Sequence, residues 1–206
     1  MKRLRVFALV AFAVVSMAAS AQEPFGTLYL QYNPCEVKAD NGYQSLRFST
    51  AFSVGYTYST PLFSIPLYLE FGAGAQWFYK SEDNVDNILN VRNNLFSFKV
   101  PVNLIFSIDV SDNFSIQPYG GFYGRYNAIG RTKITQRDYE KQKDIEYTED
   151  WFSYYDYKRF QFGWVAGCKF RICETVAIGA GYFMDLTKLG DHTHIEGFDL
   201  TLGYTF

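Results

Sequence analysis

Gly197-Phe198-Asp199-Leu200-Thr201-Leu202-Gly203-Tyr204-Thr205-Phe206 closes the chain, and its residues change character at every step. Phe198, Leu200, Leu202, Tyr204 and Phe206 share one parity; Gly197, Asp199, Thr201, Gly203 and Thr205 share the other. A helix of about 3.6 residues per turn would scatter both sets around its circumference. A strand, with its period of about two, keeps one face wholly apolar and the other small or polar. This stretch therefore reads as a β-strand between two unlike media.

The same alternation recurs upstream. In 160–172, Phe160, Phe162, Trp164, Ala166, Cys168, Phe170 and Ile172 oppose Gln161, Gly163, Val165, Gly167, Lys169 and Arg171. In 95–109, Phe96, Phe98, Val100, Val102, Leu104, Phe106 and Ile108 oppose a set that includes Ser97, Lys99, Asn103 and Asp109. In 67–80, Leu67, Leu69, Phe71, Ala73, Ala75, Trp77 and Tyr79 oppose Tyr68, Glu70, Gly72, Gly74, Gln76, Phe78 and Lys80. Segments 44–58, 114–126 and 176–187 behave alike, and 26–33 is a shorter example. With the C-terminal segment these make eight candidate strands. Their connections alternate in length: 34–43, 81–94, 127–158 and 188–196 are long and polar, whereas 59–66, 110–113 and 173–175 are tight. Long loops at one end and tight turns at the other are the habit of an outer-membrane barrel. The expected fold is all-β: an eight-stranded antiparallel up-and-down transmembrane β-barrel.

Alternation alone does not say which face meets lipid. A soluble barrel would turn the apolar face inward, but a lumen of about eight strands is only wide enough for side chains to fill. Phe, Trp and Tyr at this density would overpack it. The apolar face is therefore placed outward. The inward set then carries Arg47, Glu70, Lys99, Asp109, Arg125, Lys169, Arg171, Asp185 and Asp199, charges of both signs that can pair across the lumen. Such an interior is expected to be an occluded plug rather than a pore.

Composition agrees. Aromatics make up 19% of the chain, with 17 Tyr and 20 Phe, a proportion suited to two membrane interfaces. A formal net charge of −2 gives no nucleic-acid signal. Lys2, Arg3 and Arg5, then an apolar run over 6–15, then Ala19-Ser20-Ala21 form a secretory signal pattern. The chain is expected to divide into a signal peptide, 1–21, and a barrel domain, 22–206, with no transmembrane helix after the signal. Of the three cysteines, Cys168 and Cys173 have opposite parity and Cys35 belongs at the other end of the barrel from Cys173; no pairing is assigned.

The stretch Phe96-Ser-Phe-Lys-Val-Pro-Val-Asn-Leu-Ile-Phe-Ser resembles the Pro-containing strand of outer-membrane β-barrel domain proteins common in Bacteroidota. Ser115-Ile-Gln-Pro-Tyr-Gly-Gly-Phe-Tyr-Gly-Arg-Tyr is similar to their next strand, and Phe162-Gly-Trp-Val-Ala-Gly-Cys-Lys-Phe to a later one. Val176-Ala-Ile-Gly-Ala-Gly-Tyr and the C-terminal strand also match in style. The first strand lacks the family's Gly-rich start, and the third long loop is extended and charged. The resemblance implies an OmpA- or OmpX-type eight-stranded barrel in the outer membrane. It includes PorT-like proteins implicated in secretion, and it supplies no catalytic motif. Terminal Phe206 resembles the recognition signal read by the barrel-assembly machinery.

Candidate chemistry is sparse. His192 and His194 share a side in an extended segment and, with Asp191 or Glu196, form the candidate metal set. No G-x-S-x-G is present and no serine is tied by sequence to either histidine, so no catalytic residue and no cofactor are assigned. The 127–158 segment mixes acidic and basic residues and then turns aromatic; Tyr147, Trp151, Phe152, Tyr154 and Tyr155 are its candidate partner-binding residues. The other reading of this segment is that the strands continue as a hairpin, with aromatics pairing across it or lying at the membrane interface. The expected role is non-enzymatic: structural, or binding a ligand or an extracellular or envelope protein through the external loops. The expected contacts are outer-membrane lipid and the assembly machinery, and the alternatives are a PorT-like secretion accessory and a lipid-modifying enzyme.

Overall fold

The structure is a computed structural model that describes residues 23–39, 46–63, 65–85, 88–138, 143–190 and 193–206. The proposed signal peptide, 1–21, lies outside the described residues. Strands run β1 Phe25–Tyr32, β2 Cys35–Ala39, β3 Leu46–Phe48, β4 Thr50–Pro61, β5 Leu67–Val85, β6 Ile88–Phe106, β7 Ile108–Ser111, β8 Phe114–Asp138, β9 Lys143–Asp150, β10 Phe160–Ile172, β11 Val176–Asp185 and β12 Thr193–Thr205, with one short helix, α1, Trp151–Tyr154.

Eight of these strands are staves of a closed antiparallel ring, in the order β1-β4-β5-β6-β8-β10-β11-β12, and β1 returns to pair with β12. Closure leaves no free edge in the wall, the condition for a sheet to cross a bilayer. The remaining strands are attachments. β2 and β3 extend the wall beside β12, β7 pairs with the start of β8, and β9 pairs with its far end.

Parity places the side chains as the alternation predicts. Leu28, Leu30, Val100, Val102, Leu200 and Leu202 are each about half exposed, from 47% to 56%. A band of this kind around the whole ring is far larger than the apolar patches water-soluble monomers tolerate, and it fits a lipid surround. The inward face carries charge and tyrosine. It also uses glycine for close approach: a Cβ on Gly163 would collide with the Tyr123 ring, and one on Gly74 with the Tyr29 hydroxyl.

Of the irregularities in the pairing, two change which residues enter the lumen. At Ser49 the chain bends between β3 and β4, so Phe48 enters the lumen and Arg47 points out. Arg47 is thus not part of the lumen network; its side chain is 76% exposed and sits 3.5 Å from Glu36. At Ala128 the pairing of β6 and β8 slips, so that Phe96 opposes Ile129 while Ser97 opposes Asn127. Above this bulge the inward residues of β8 are Gly130 and Thr132.

One other expectation changes. Asp109 is exposed at the barrel mouth: β7 continues β6 along β8 in unbroken register but runs past the start of β5, whose last tie to this stave is the Ser107 amide on the Pro66 carbonyl. Of the two readings of 127–158 the hairpin holds: β8 runs on to Asp138 and returns as β9.

Candidate functional site

Three ion pairs cross the lumen. Glu70 of β5 accepts from the Lys169 ammonium of β10 at 2.6 and 2.8 Å, from Asn103 at 2.9 Å and from Thr57 at 3.2 Å. Lys99 of β6 lies 3.4 Å from Asp199 of β12, with its ammonium 4.5 Å from the centre of the Tyr123 ring. Arg125 of β8 pairs with Asp185 of β11 and also donates to Gln161 Oε1 at 2.7 and 3.2 Å. All six charged side chains are buried to within 12% of full exclusion. Paired charges in a low-dielectric lumen are held by the cost of separating them, since a lone buried charge is far less favourable than a pair.

Neutral side chains link the pairs. Gln76 donates to Ser53 (3.2 Å), Ser53 to Asn33, and Asn33 to the Asp199 carboxylate, a relay that joins β5, β4, the end of β1 and β12. Tyr123 donates to Asp185 at 2.7 Å, Asn127 to Gln161 at 2.9 Å, and Ser97 to Asn127 at 2.7 Å. Beside the pairs lies a cavity of about 40 Å³ lined by Glu70, Lys99, Lys169, Asp199, Tyr29 and Tyr119. That volume holds a few ordered waters and no larger ligand.

Above this network the lumen is apolar. Phe48, Phe78, Leu95, Leu189, Ile195 and Trp151 are at most 2% exposed and belong to one packed cluster. Trp151 is brought there by α1. Asp150 caps the helix, its carboxylate accepting from the amides of Phe152 (3.0 Å) and Ser153 (3.1 Å). This cap satisfies amides that a helix of one turn otherwise leaves open. The indole N–H then donates to Thr132 at 2.7 Å. The occluded lumen therefore has two materials, ion pairs at mid-height and an apolar lid at the end where the long hairpins stand.

Of the nine charges expected inward, the structure brings six into pairs: Glu70, Lys99, Arg125, Lys169, Asp185 and Asp199. Arg171 is half-buried at the mouth with its guanidinium 4.6 Å from the centre of the Phe25 ring. Asn33, Tyr123, Asn127 and Gln161 were not singled out, although Gln161 stood on the inward face of its segment.

The candidate partner-binding residues divide. Trp151 is 2% exposed and belongs to the lid, so it is not a contact residue. Phe152 is half-buried under the Arg159 guanidinium at 4.0 Å. Tyr147, Tyr154 and Tyr155 are 40%, 67% and 42% exposed, and Ile145 on the same hairpin is 46% exposed. The Tyr154 and Tyr155 rings meet edge to face at 4.9 Å. Burial and a hydrogen bond to Glu149 push the Tyr155 phenol well above its ordinary range. On the hairpin Glu146 lies 2.7 Å from Lys133, whose hydrogen bond holds its carboxyl below the usual range.

His194 lies 3.4 Å from Glu196, whereas His192 and Asp191 lie outside the described residues. Among the described residues no group of three or more His, Cys, Asp or Glu side chains is placed to hold a metal. Cys35, Cys168 and Cys173 are all free thiols. Phe206 is 64% exposed at the end of the lipid-facing row of β12 and stacks with Tyr56 at 6.1 Å.

A family model described as outer membrane protein beta-barrel domain matches residues 7–206. No curated protein matches the sequence. Among solved structures, the chain is similar to Ail, the attachment invasion locus protein of Yersinia pestis, at 16% identity and a TM-score of 0.49, over 90% of this chain and 100% of that one. Neisserial surface protein A is matched at 14% identity and a TM-score of 0.48, over 89% of this chain and 98% of that one. The outer membrane enzyme PagL is matched at 9% identity and a TM-score of 0.49, over 86% and 97%. Overlaps this loose bear on no function.

Proposed function

The chain belongs to the outer membrane protein β-barrel domain family and is an outer-membrane protein, and from that premise we propose that it is a non-enzymatic barrel that binds an extracellular or envelope protein through its long hairpins. The observation that carries this reading is the contrast between the two ends of the interior and the hairpin above. The bore is crossed by buried ion pairs and closed above by a packed lid, and the cavity beside the pairs, about 40 Å³, is too small for a sizeable ligand. Meanwhile Ile145, Tyr147, Tyr154 and Tyr155 stand exposed beyond the wall. Aromatic and aliphatic groups held on a rigid hairpin are the kind of anchor that protein interfaces use.

A photo-crosslinking amino acid at Tyr147, in intact cells, should give one discrete adduct. The adduct should disappear when Ile145→Ser and Tyr154→Ser are introduced, while the folded band on an unboiled gel is kept. Crosslinks no more discrete than those from a lipid-facing position such as Leu202 would sink the proposal.

A secretion accessory of the PorT-like kind is the second reading. It rests on the resemblance of 96–107, 115–126 and 162–170 to that group's strands. Deletion that removes secreted proteins from the medium, with the envelope intact, would favour it. A lipid-modifying enzyme is the third. It needs a serine hydroxyl poised at His192 or His194, and release of product from labelled outer-membrane lipid by the purified barrel is its test.

A further inference from the structure

The opposite mouth of the barrel, at the tight turns, is a second candidate site. It is a cup of about 810 Å³, within the range of volumes that bind sizeable ligands. This end faces the periplasm if the long hairpins face outward. Its rim bears four exposed carboxylates, Glu23, Asp109, Asp112 and Glu174, against the single guanidinium of Arg171. Its floor is aromatic, with Phe25 and Tyr68 packed edge to face at 5.3 Å.

Two further observations point to a ligand. Ser115 faces the cup and is 6% exposed, and its hydroxyl has no hydrogen-bond partner among the described residues. Leaving a buried hydroxyl unpaired is unfavourable, so turning it toward the cup to meet a polar group of an occupant is favoured. Arg171 also shows what the floor accepts: its guanidinium lies over Phe25 at 4.6 Å, a cation on an aromatic face.

Size and edge chemistry narrow the occupant. No group of three or more metal-ligating side chains occurs among the described residues, and a bare ion would leave the cup mostly unfilled. β7, which carries Asp109 on the rim, pairs only with β8, and among the described residues no strand lies along its other edge. An extended peptide can complete such an edge, whereas a small amine cannot. We propose that the periplasmic mouth docks an extended, lysine- or arginine-bearing segment of a periplasmic protein, with its cations on the acidic rim and aromatic floor and its backbone along β7.

The test is calorimetric titration of the barrel, purified from outer membranes into a neutral detergent, with a synthetic peptide of alternating Lys and Ser. Binding should weaken about tenfold or more in Asp109→Asn/Asp112→Asn/Glu174→Gln, and should weaken with added salt. It should be unchanged in Asp144→Asn/Glu146→Gln, which removes charge at the other end. Heat-modifiable migration on gels confirms that both variants stay folded. Equal binding by the rim variant, or no binding of the peptide, overturns the proposal. Spermine binding as tightly as the peptide, or calcium displacing the peptide at equal concentration, would make the cup a small-cation site and also overturn it.

Discussion

Two ion pairs in this barrel have nearly the same geometry and opposite surroundings. Glu70 and Lys169 meet at 2.6 Å in the lumen, with side chains 2% and 12% exposed. Lys133 and Glu146 meet at 2.7 Å on the hairpin that stands above the wall, with side chains 41% and 55% exposed. Distance does not separate them; water does. On the hairpin either partner can be lost and the other re-solvated, so the pair contributes little. In the lumen Glu70 also accepts from Asn103 and Thr57, and a lone survivor has nowhere to go. The interior is thus held by groups that cannot be removed singly, while the hairpin is free to vary in charge without loss of the barrel.

The largest effect should come from breaking the buried pair on one side only. Glu70→Ala strands the Lys169 ammonium and should cost about 3–5 kcal/mol, read as a lower urea midpoint for loss of the heat-modifiable band. Glu70→Leu/Lys169→Met, which removes both charges, should recover most of that loss. A double variant as unstable as the single would mean that the network, and not the stranded charge, sets the stability. Next comes the lid. Trp151→Ala empties a packed site and should cost about 3 kcal/mol. Trp151→Phe keeps most of the packing but gives up the bond to Thr132, and should cost about 1 kcal/mol. Neither lid variant should conduct in a planar bilayer, because the three ion pairs still fill the bore beneath. Ion current from Trp151→Ala alone would show that the lid, and not the pairs, makes the seal.

What the sequence revealed follows from the range of its signals. A period-two pattern is local and survives any packing, so the eight staves were legible from alternation, and the outward apolar band and the six inward charges followed once the narrowness of an eight-stranded lumen chose which face turns out. Arg47 was misplaced because a single bend at Ser49 reverses parity, and nothing in Leu46-Arg47-Phe48-Ser49 marks that bend. Asp109 was misplaced because alternation says nothing of height: its stave runs on past the turn at Pro66 where β5 begins, so Asp109 stands at the open mouth and not in the lumen. The lid was invisible for another reason. Phe48, Phe78, Leu95, Trp151 and Leu189 come from distant segments and share no motif. Trp151 in particular sits among exposed tyrosines in sequence, and only the turn of helix capped by Asp150 takes it inward.

The smallest effect sharpens the comparison from the hairpin side. Glu146→Gln should leave the urea midpoint of the barrel unmoved, since the pair it breaks stands in water. Its trace should appear instead in local behaviour and in pH. The Lys133 hydrogen bond lowers the folded-state pKa of the Glu146 carboxyl, so the pair's contribution is present above the ordinary carboxylate range and lost as pH falls through the lowered value. The protection of amides along 131–138 and 143–150, taken against the free-chain exchange rate at each pH, should therefore fall on acidification below the carboxylate range in the parent. In Glu146→Gln this acid-dependent component should be smaller, leaving other carboxylates of the hairpin, such as Glu149, to carry what remains. Amides of 67–79 and 96–106 in the wall should change with neither. If acid loosened the wall before the hairpin, the buried pairs would be the more easily protonated ones, and burial would not be what protects them.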